Sequence, residues 1–155
     1  MMMVVVAFLL LRVTLAWLFL APLKKFLTHW EATVKMVELV APKRPVFFAY
    51  TMIGIMFFGG LSILLGCLAQ IGAVFLAAHC LLGVRAHNLY VKQLQSMNLD
   101  SQASPDNQKI LNEAKKLGIL GNITSGQKNI VIAAVLVFIA LIGSGPYSLT
   151  ENLFW

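Results

Sequence analysis

The sequence contains few charged residues. Of its 155 residues, 12% are charged and 59% are hydrophobic, whereas a soluble domain of this length needs a much larger charged surface to stay dispersed. The six acidic residues all lie outside the long apolar runs, so the intramembrane carboxylates that are typical of proton-coupled transport are missing. The length favours one domain, 1–155. This shortage of charge predicts an integral membrane protein.

Residue patterns that support chemistry are also missing. The two cysteines, Cys67 and Cys80, both lie in apolar stretches, where a cysteine is usually a small packing residue. The sequence has no Cys/His cluster at metal-ligand spacing, no glycine-rich phosphate loop beside a strand, and no Ser–His–acid set. We therefore expect no metal site and no catalytic residue.

The long apolar runs predict four transmembrane spans. The 39 residues from Val46 to Val84 carry no formal charge, and one straight helix of that length would measure about 58 Å, roughly twice the hydrocarbon thickness of a bilayer. The chain must therefore fold back, and the glycines at 66–72 are the best place for the turn. The predicted fold is all-α, an integral membrane four-helix bundle with spans at about 3–23, 46–66, 71–90 and 129–149.

Two details of these spans need comment. The first run resembles a signal peptide, but Arg12 interrupts it and Pro22-Leu23-Lys24 is a poor cleavage site, so we expect a retained first span. The fourth run is continuously apolar only over 130–142, so residues 127–129 or 143–149 must complete the crossing.

Two short amphipathic helices are predicted at the membrane surface. At about 29–41, Thr28 is placed as an N-cap with Glu31 three residues on, and one face of the helix is polar. In the polar connection 91–128, Ser104 and Pro105 predict the start of a second helix over about 104–117. Helices with one polar and one apolar face lie in the headgroup region of a bilayer.

Basic residues flank the apolar spans, and the formal net charge is +6. This distribution favours the lipid bilayer over nucleic acid as the partner. The first connection contains Lys24, Lys25, Lys35, Lys43 and Arg44, and the third contains Arg85, Lys92, Lys109, Lys115, Lys116 and Lys128. Because basic loops stay in the cytoplasm, both termini are predicted to be non-cytoplasmic, in a bacterial-type inner or energy-transducing membrane.

Arg12 is the most informative candidate for a binding role. A guanidinium cannot lose its charge and is costly inside a bilayer, yet no carboxylate is available in any span. One interpretation is that it holds a lipid phosphate, a quinone carbonyl or an acid of a partner subunit. The other is that it binds backbone carbonyls near the glycine-rich turns or the hydroxyls of Tyr147 and Ser148.

Two further groups of residues have a structural and a functional interpretation. His79 lies in the middle of the third span, where a neutral imidazole can ligate a haem or a chlorophyll-type magnesium, but no second histidine faces it, so a helix–helix contact is favoured. Small residues allow helices to approach closely, so tight packing within the bundle is the structural interpretation. The functional alternative is a docking face for another subunit. These small residues are Gly59, Gly60, Gly66, Ala69, Ala73 and Ala77.

Three segments resemble the DoxX-like family of small four-helix membrane proteins. Arg12 and Lys25 match the basic pair that brackets the first span of that family. The glycine-bounded segment in the second span of the family is matched by Gly59-Gly60-Leu61-Ser62-Ile63-Leu64-Leu65-Gly66. The glycine-rich segment after its fourth span is matched by Gly143-Ser144-Gly145-Pro146-Tyr147-Ser148-Leu149. The resemblance implies a membrane subunit that is often linked to redox or sulfur metabolism, including quinone-linked thiosulfate oxidation.

The residues and the resemblance together give one main functional hypothesis and two alternatives. The main hypothesis is an accessory membrane subunit of a larger redox or energy-transducing complex, with other membrane subunits as partners. The alternatives are the membrane subunit of a quinone-linked oxidoreductase (thiosulfate:quinone type) and a small-solute transporter. Bound lipid or quinone is the expected ligand, and its candidate residues are Arg12, Lys25, Tyr147 and Ser148.

Overall fold

The structure, a computed structural model, describes residues 2–98, 104–143, 145, 148 and 149. These residues form helices and turns without a strand, as predicted. The helices are α1 (Met2–Leu20), α2 (Leu23–Thr28), α3 (Trp30–Glu38), α4 (Pro45–Leu65), α5 (Ala69–Ser96) and α6 (Pro105–Ile142). Within the described ranges, four segments are long and apolar enough to cross a bilayer: Met2–Thr28, Pro45–Leu65, Ala69–Ser96 and Pro105–Ile142.

The core lies where α4 and α5 meet each other and pack against α1 and α6. Its fully buried large side chains are Ile63, Leu76, Leu136 and Ile139. Glycine allows this close packing, because a Cβ on Gly59 would lie 2.7 Å from Cγ of Leu76 on α5. A Cβ on Gly60 would lie 3.0 Å from the side chain of Leu20 on α1.

The uncharged run 46–84 turns back at Gly66-Cys67-Leu68, within the glycine region where the sequence places a break. Gly66 has a left-handed backbone with φ 67°, and Leu68 also has a positive φ, 51°. Of the predicted packing residues, Ala69, Ala73 and Ala77 are buried along α5, whereas Gly66 lies in the turn rather than on a helix face.

The segment 104–117 does not form a separate surface helix. It is the first part of α6, which continues without a break to Ile142. Two of the three glycines in between lie under α5, which helps to keep the helix continuous. A Cβ on Gly118 would lie 3.0 Å from the side chain of Leu94 and one on Gly126 would lie 3.8 Å from Cβ of His87, whereas nothing lies within 4 Å of a Cβ on Gly121. The apolar run 130–142 is therefore extended on its N-terminal side, and Gly143, with φ 89°, ends the helix.

The first predicted surface helix corresponds to α3, but its start differs. Thr28 donates its hydroxyl to the carbonyl of Lys24, and His29, not Thr28, occupies the N-cap without a side-chain hydrogen bond. Thr33 is buried inside the bend at His29 and donates to the carbonyl of Phe26 at 2.9 Å. α3 lies against α4, with the Trp30 and Tyr50 ring centroids 4.5 Å apart. Its placement in the headgroup region stays a prediction.

Candidate functional site

The guanidinium of Arg12 binds the C-terminal end of α4. Arg12 is 3% exposed. Its Nε donates to the carbonyl of Ile63 at 2.9 Å, and its Nη2 donates to the carbonyl of Leu64 at 2.7 Å. A charged side chain of the first span thus contacts the last turn of the second.

The last four carbonyls of α4 all have hydrogen-bond donors. The main-chain N–H of Cys67 donates to Ser62 and that of Gly66 to Ile63, the pair of bonds that forms a Schellman motif around a left-handed glycine. The carbonyls that this motif leaves over are those of Leu64 and Leu65, which accept from Arg12 and from the main-chain N–H of Leu149. Such pairing matters in a bilayer, where no water can satisfy a free carbonyl.

The contacts among the described residues show how a helix end helps to hold Arg12. Aligned peptide dipoles give the C-terminus of a helix a partial negative charge of about half an elementary charge. The end of α4 therefore supplies both hydrogen-bond acceptors and a compensating charge for the guanidinium. Sequence analysis left two interpretations of Arg12 open. In these contacts Arg12 binds backbone carbonyls near a glycine-rich turn, which is one of them.

Glycine is required at position 66 both for backbone conformation and for space. Its φ of 67° lies in the left-handed region, and a Cβ there would be 2.7 Å from Nη2 of Arg12 and 2.6 Å from Cβ of Ser148. Gly145 is equally close to α1, because a Cβ on it would lie 2.5 Å from the ring of Phe8. The C-terminal residues 145, 148 and 149 thus pack beside Arg12 and the α4–α5 turn.

Two more polar side chains bind main-chain carbonyls in the same region. The hydroxyl of Ser62 donates to the carbonyl of Cys67 at 2.6 Å. The amide of Gln70, which is 3% exposed, donates to the carbonyl of Ala140 on α6 at 3.3 Å. Arg12, Ser62 and Gln70, which we call the turn cluster, therefore connect α1, the α4–α5 turn and α6.

Comparison with known proteins identifies the family of the chain. The model of the DoxX family matches residues 7–87, just over half of the chain, from α1 into α5. The chain belongs to the DoxX family. The match includes the whole turn cluster and ends before α6. No curated protein and no solved structure matches the chain significantly.

Of the other ligand candidates of this DoxX-family chain, Ser148 lies beside Arg12 at Gly66, whereas Lys25 and His79 lie elsewhere. Lys25 is exposed on α2, roughly 20 Å further along the helical segment. Tyr147 lies outside the described residues. His79 is half-buried, and its ring contacts that of Phe19 edge-on with centroids 6.3 Å apart. Within the described ranges, no three His, Cys, Asp or Glu residues are placed to hold a metal ion.

Sequence analysis assigned no hydrogen-bonding role to Ser62 and Gln70. Each is a hydrogen-bond donor next to a helix break inside a long apolar run, and that combination is the signal that could have identified them. A buried donor in a bilayer needs an acceptor, and helix ends supply unpaired carbonyls. The same reasoning favours helix-end carbonyls as the acceptors for Arg12.

Proposed function

We propose that this DoxX-family protein is an accessory membrane subunit that helps to assemble or stabilise a larger redox or energy-transducing complex. The observation that carries the proposal is the turn cluster. Arg12, Ser62 and Gln70 each donate to a main-chain carbonyl of the chain itself. These side chains hold helix ends together, a role that suits a structural subunit.

Exposed apolar surface supports the same proposal. The first half of α1 exposes Met2, Met3, Val4 and Leu10 by 57–84%. Lipid tails or apolar helices of neighbouring subunits are the natural cover for such a surface. We further propose that both termini are non-cytoplasmic and that α3 lies in the headgroup region.

Native purification tests the proposal. The tagged protein is extracted in mild detergent, its co-purified proteins are identified, and the extract is analysed for quinone. We expect other membrane subunits at fixed stoichiometry. Recovery of the protein alone with one equivalent of bound quinone would instead support the oxidoreductase alternative.

Variants of Arg12 sharpen this test. Arg12→Leu leaves the carbonyl of Leu64 without its donor, a loss that costs roughly 1–3 kcal/mol, so the isolated protein should unfold at a lower temperature and less complex should be recovered. Arg12→Lys keeps the charge without the planar fork and should have an intermediate effect. Lys25→Gln, the control on exposed α2, should leave both properties unchanged. An Arg12→Leu protein of normal stability that has lost quinone alone would contradict the proposal.

A further inference from the structure

Exposed basic residues lie at one common height on α5 and α6. Arg85 on α5 and Lys128 on α6 are both exposed. A Cβ on Gly83 would lie 2.5 Å from Nδ2 of Asn129, so these two residues lie side by side in the antiparallel pair of helices. Arg85 follows Gly83 by two residues and Lys128 precedes Asn129 by one, and both steps lead in the same direction along the bundle. The two cations therefore lie at the same height to within about 3 Å.

The helical segment that begins with α1 carries a third exposed cation at this height. Phe19 on α1 contacts His79 on α5, and the two helices run in the same direction. Lys24 lies five residues beyond Phe19 in the same helical segment, one residue short of Arg85 in height. Basic side chains at the ends of membrane-spanning segments lie where the hydrocarbon gives way to headgroups. We call the height of Lys24, Arg85 and Lys128 the basic level.

α1 is long enough to cross the hydrocarbon layer from the basic level. That layer is about 30 Å thick, which a helix crosses in about 20 residues. Counted back from Lys24, such a crossing ends at Val4, close to the start of α1 at Met2. This end of α1 is apolar and open, since Met3 and Val4 are 84% and 57% exposed, which suits contact with lipid tails. The far edge of the hydrocarbon layer therefore lies near Val4.

α5 and α6 end before they reach that far edge. α5 begins at Ala69, about 24 Å from Arg85 along the helix. α6 ends at Ile142, about 21 Å from Lys128. The α4–α5 turn thus lies roughly 6–9 Å short of the edge that α1 reaches.

The side chains of the turn agree with this depth. Leu65, Leu68 and Ile71 are 48%, 45% and 42% exposed, so apolar side chains cover this end of the bundle. The donors of the turn cluster bind main-chain carbonyls, and the last carbonyls of α4 have donors. A turn in contact with water needs no such pairing within the protein, whereas a turn in hydrocarbon does.

We infer that the α4–α5 turn lies inside the hydrocarbon layer, in contact with lipid tails, rather than at the membrane surface. The turn cluster then supplies the hydrogen-bond partners that water supplies to a surface turn and that lipid lacks. Arg12 lies at a matching depth, about 18 Å from Lys24 along the helix, and its side chain bridges the remaining distance to the carbonyls of Ile63 and Leu64. The inference holds for either orientation of the protein in the membrane.

Fluorescence quenching at single cysteines tests the depth of the turn. Leu65→Cys and Ile71→Cys are made separately in a background without Cys67 and Cys80. Each full-length protein is labelled with bimane and reconstituted in vesicles of dioleoylphosphatidylcholine. Quenching is then compared between lipids that carry a nitroxide on the headgroup and lipids that carry it in the middle of an acyl chain. At both positions the acyl-chain nitroxide should quench at least twofold more strongly.

Two control positions mark the edges of the hydrocarbon layer. Gln127→Cys lies at the basic level and Met3→Cys at the start of α1, and both residues are exposed. The headgroup nitroxide should quench more strongly at these two positions. Positions 65 and 71 lie on either side of the turn, so a folding defect in one variant leaves the other to decide.

Two results would overturn the inference. If the headgroup nitroxide quenches more strongly at positions 65 and 71, the turn lies at the membrane surface. If both lipids quench these positions weakly relative to position 127, protein rather than lipid covers the turn.

Discussion

At the scale of single residues, the C-terminal end of α4 allows the permanent charge of Arg12 to lie in an apolar environment. Arg12 donates to the carbonyls of Ile63 and Leu64, which a regular helix leaves without an intrahelical partner. The guanidinium therefore avoids the cost of an unpartnered charge, and it supplies the donor that the carbonyl of Leu64 would otherwise lack. Gly66 makes the approach possible, since any Cβ would occupy the space of the guanidinium.

A substitution at Gly66 tests this close approach. Gly66→Ala places a Cβ in a left-handed residue, which costs about 1–2 kcal/mol, and it also collides with Arg12 and Ser148. We expect a clearly lower midpoint of thermal unfolding in detergent. Gly54→Ala is the control, because nothing lies within 4 Å of the added Cβ and Gly54 is inside helix α4; it should leave the midpoint unchanged or raise it. Equal effects of the two variants would argue against a special role for Gly66.

At the scale of secondary-structure elements, the α5–α6 hairpin is held by polar contacts beyond its apolar core. The amide Nδ2 of Asn122 donates to the carbonyl of Gly118 at 2.8 Å, which directs Oδ1 towards His87. Nδ1 of His87 lies 2.8 Å from that oxygen and must carry the proton to bond with it. This contact fixes the register of two helices that meet along most of the length of α5.

A double-mutant cycle measures the His87–Asn122 contact. The variants are His87→Ala, Asn122→Ala and the double variant, and the free energy of unfolding in detergent is determined for each. We expect a coupling energy of about 0.5–1.5 kcal/mol. Asn88→Ala, a neighbouring polar residue on α5, combined with Asn122→Ala provides the control cycle and should be additive. Zero coupling between positions 87 and 122 would show that the bond does not stabilise the hairpin.

At the scale of the whole molecule, the basic residues are concentrated towards one end of the bundle. Nine of the twelve follow α1, precede α4, or lie on the last part of α5 or the first part of α6. Arg85 and Lys128 lie nearer the middle of α5 and α6, and Arg12 lies at the α4–α5 turn. Because basic segments are retained in the cytoplasm, we expect the C-terminal end of α5 and the N-terminal end of α6 to be cytoplasmic and the α4–α5 turn to face the other side.

Thiol labelling tests this orientation. Met2→Cys and Asn112→Cys are made separately in a background without Cys67 and Cys80, and intact cells are treated with a membrane-impermeant reagent. The cysteine at position 2 should be labelled, whereas the one at position 112 should react only after the cells are opened. Labelling of position 112 alone in intact cells would reverse the orientation without changing the helices.

The sequence by itself determined the class of protein and the main helical pattern. Few charges, long apolar runs and flanking lysines can be read from the residues alone, and they determine which segments enter a bilayer and in which orientation. The fold-back in the run 46–84 also followed from length alone, because an uncharged helix of that size exceeds the membrane. The DoxX resemblance, carried by residues such as Arg12 and Gly59–Gly66, agrees with the family match over 7–87.

Tertiary structure decided where those helices end and what their polar residues bind. Gly118 and Gly126 weaken an isolated helix, but packing against Leu94 and His87 on α5 keeps α6 continuous to Ile142. The described partners of Arg12 are main-chain carbonyls, which sequence analysis offered as one of two interpretations. Every residue has a carbonyl, so the pattern of residue types could not single out those of Ile63 and Leu64. The local sequence specifies which polar groups need a hydrogen-bond partner. The packing of α1 against α4 decides which carbonyls accept from Arg12.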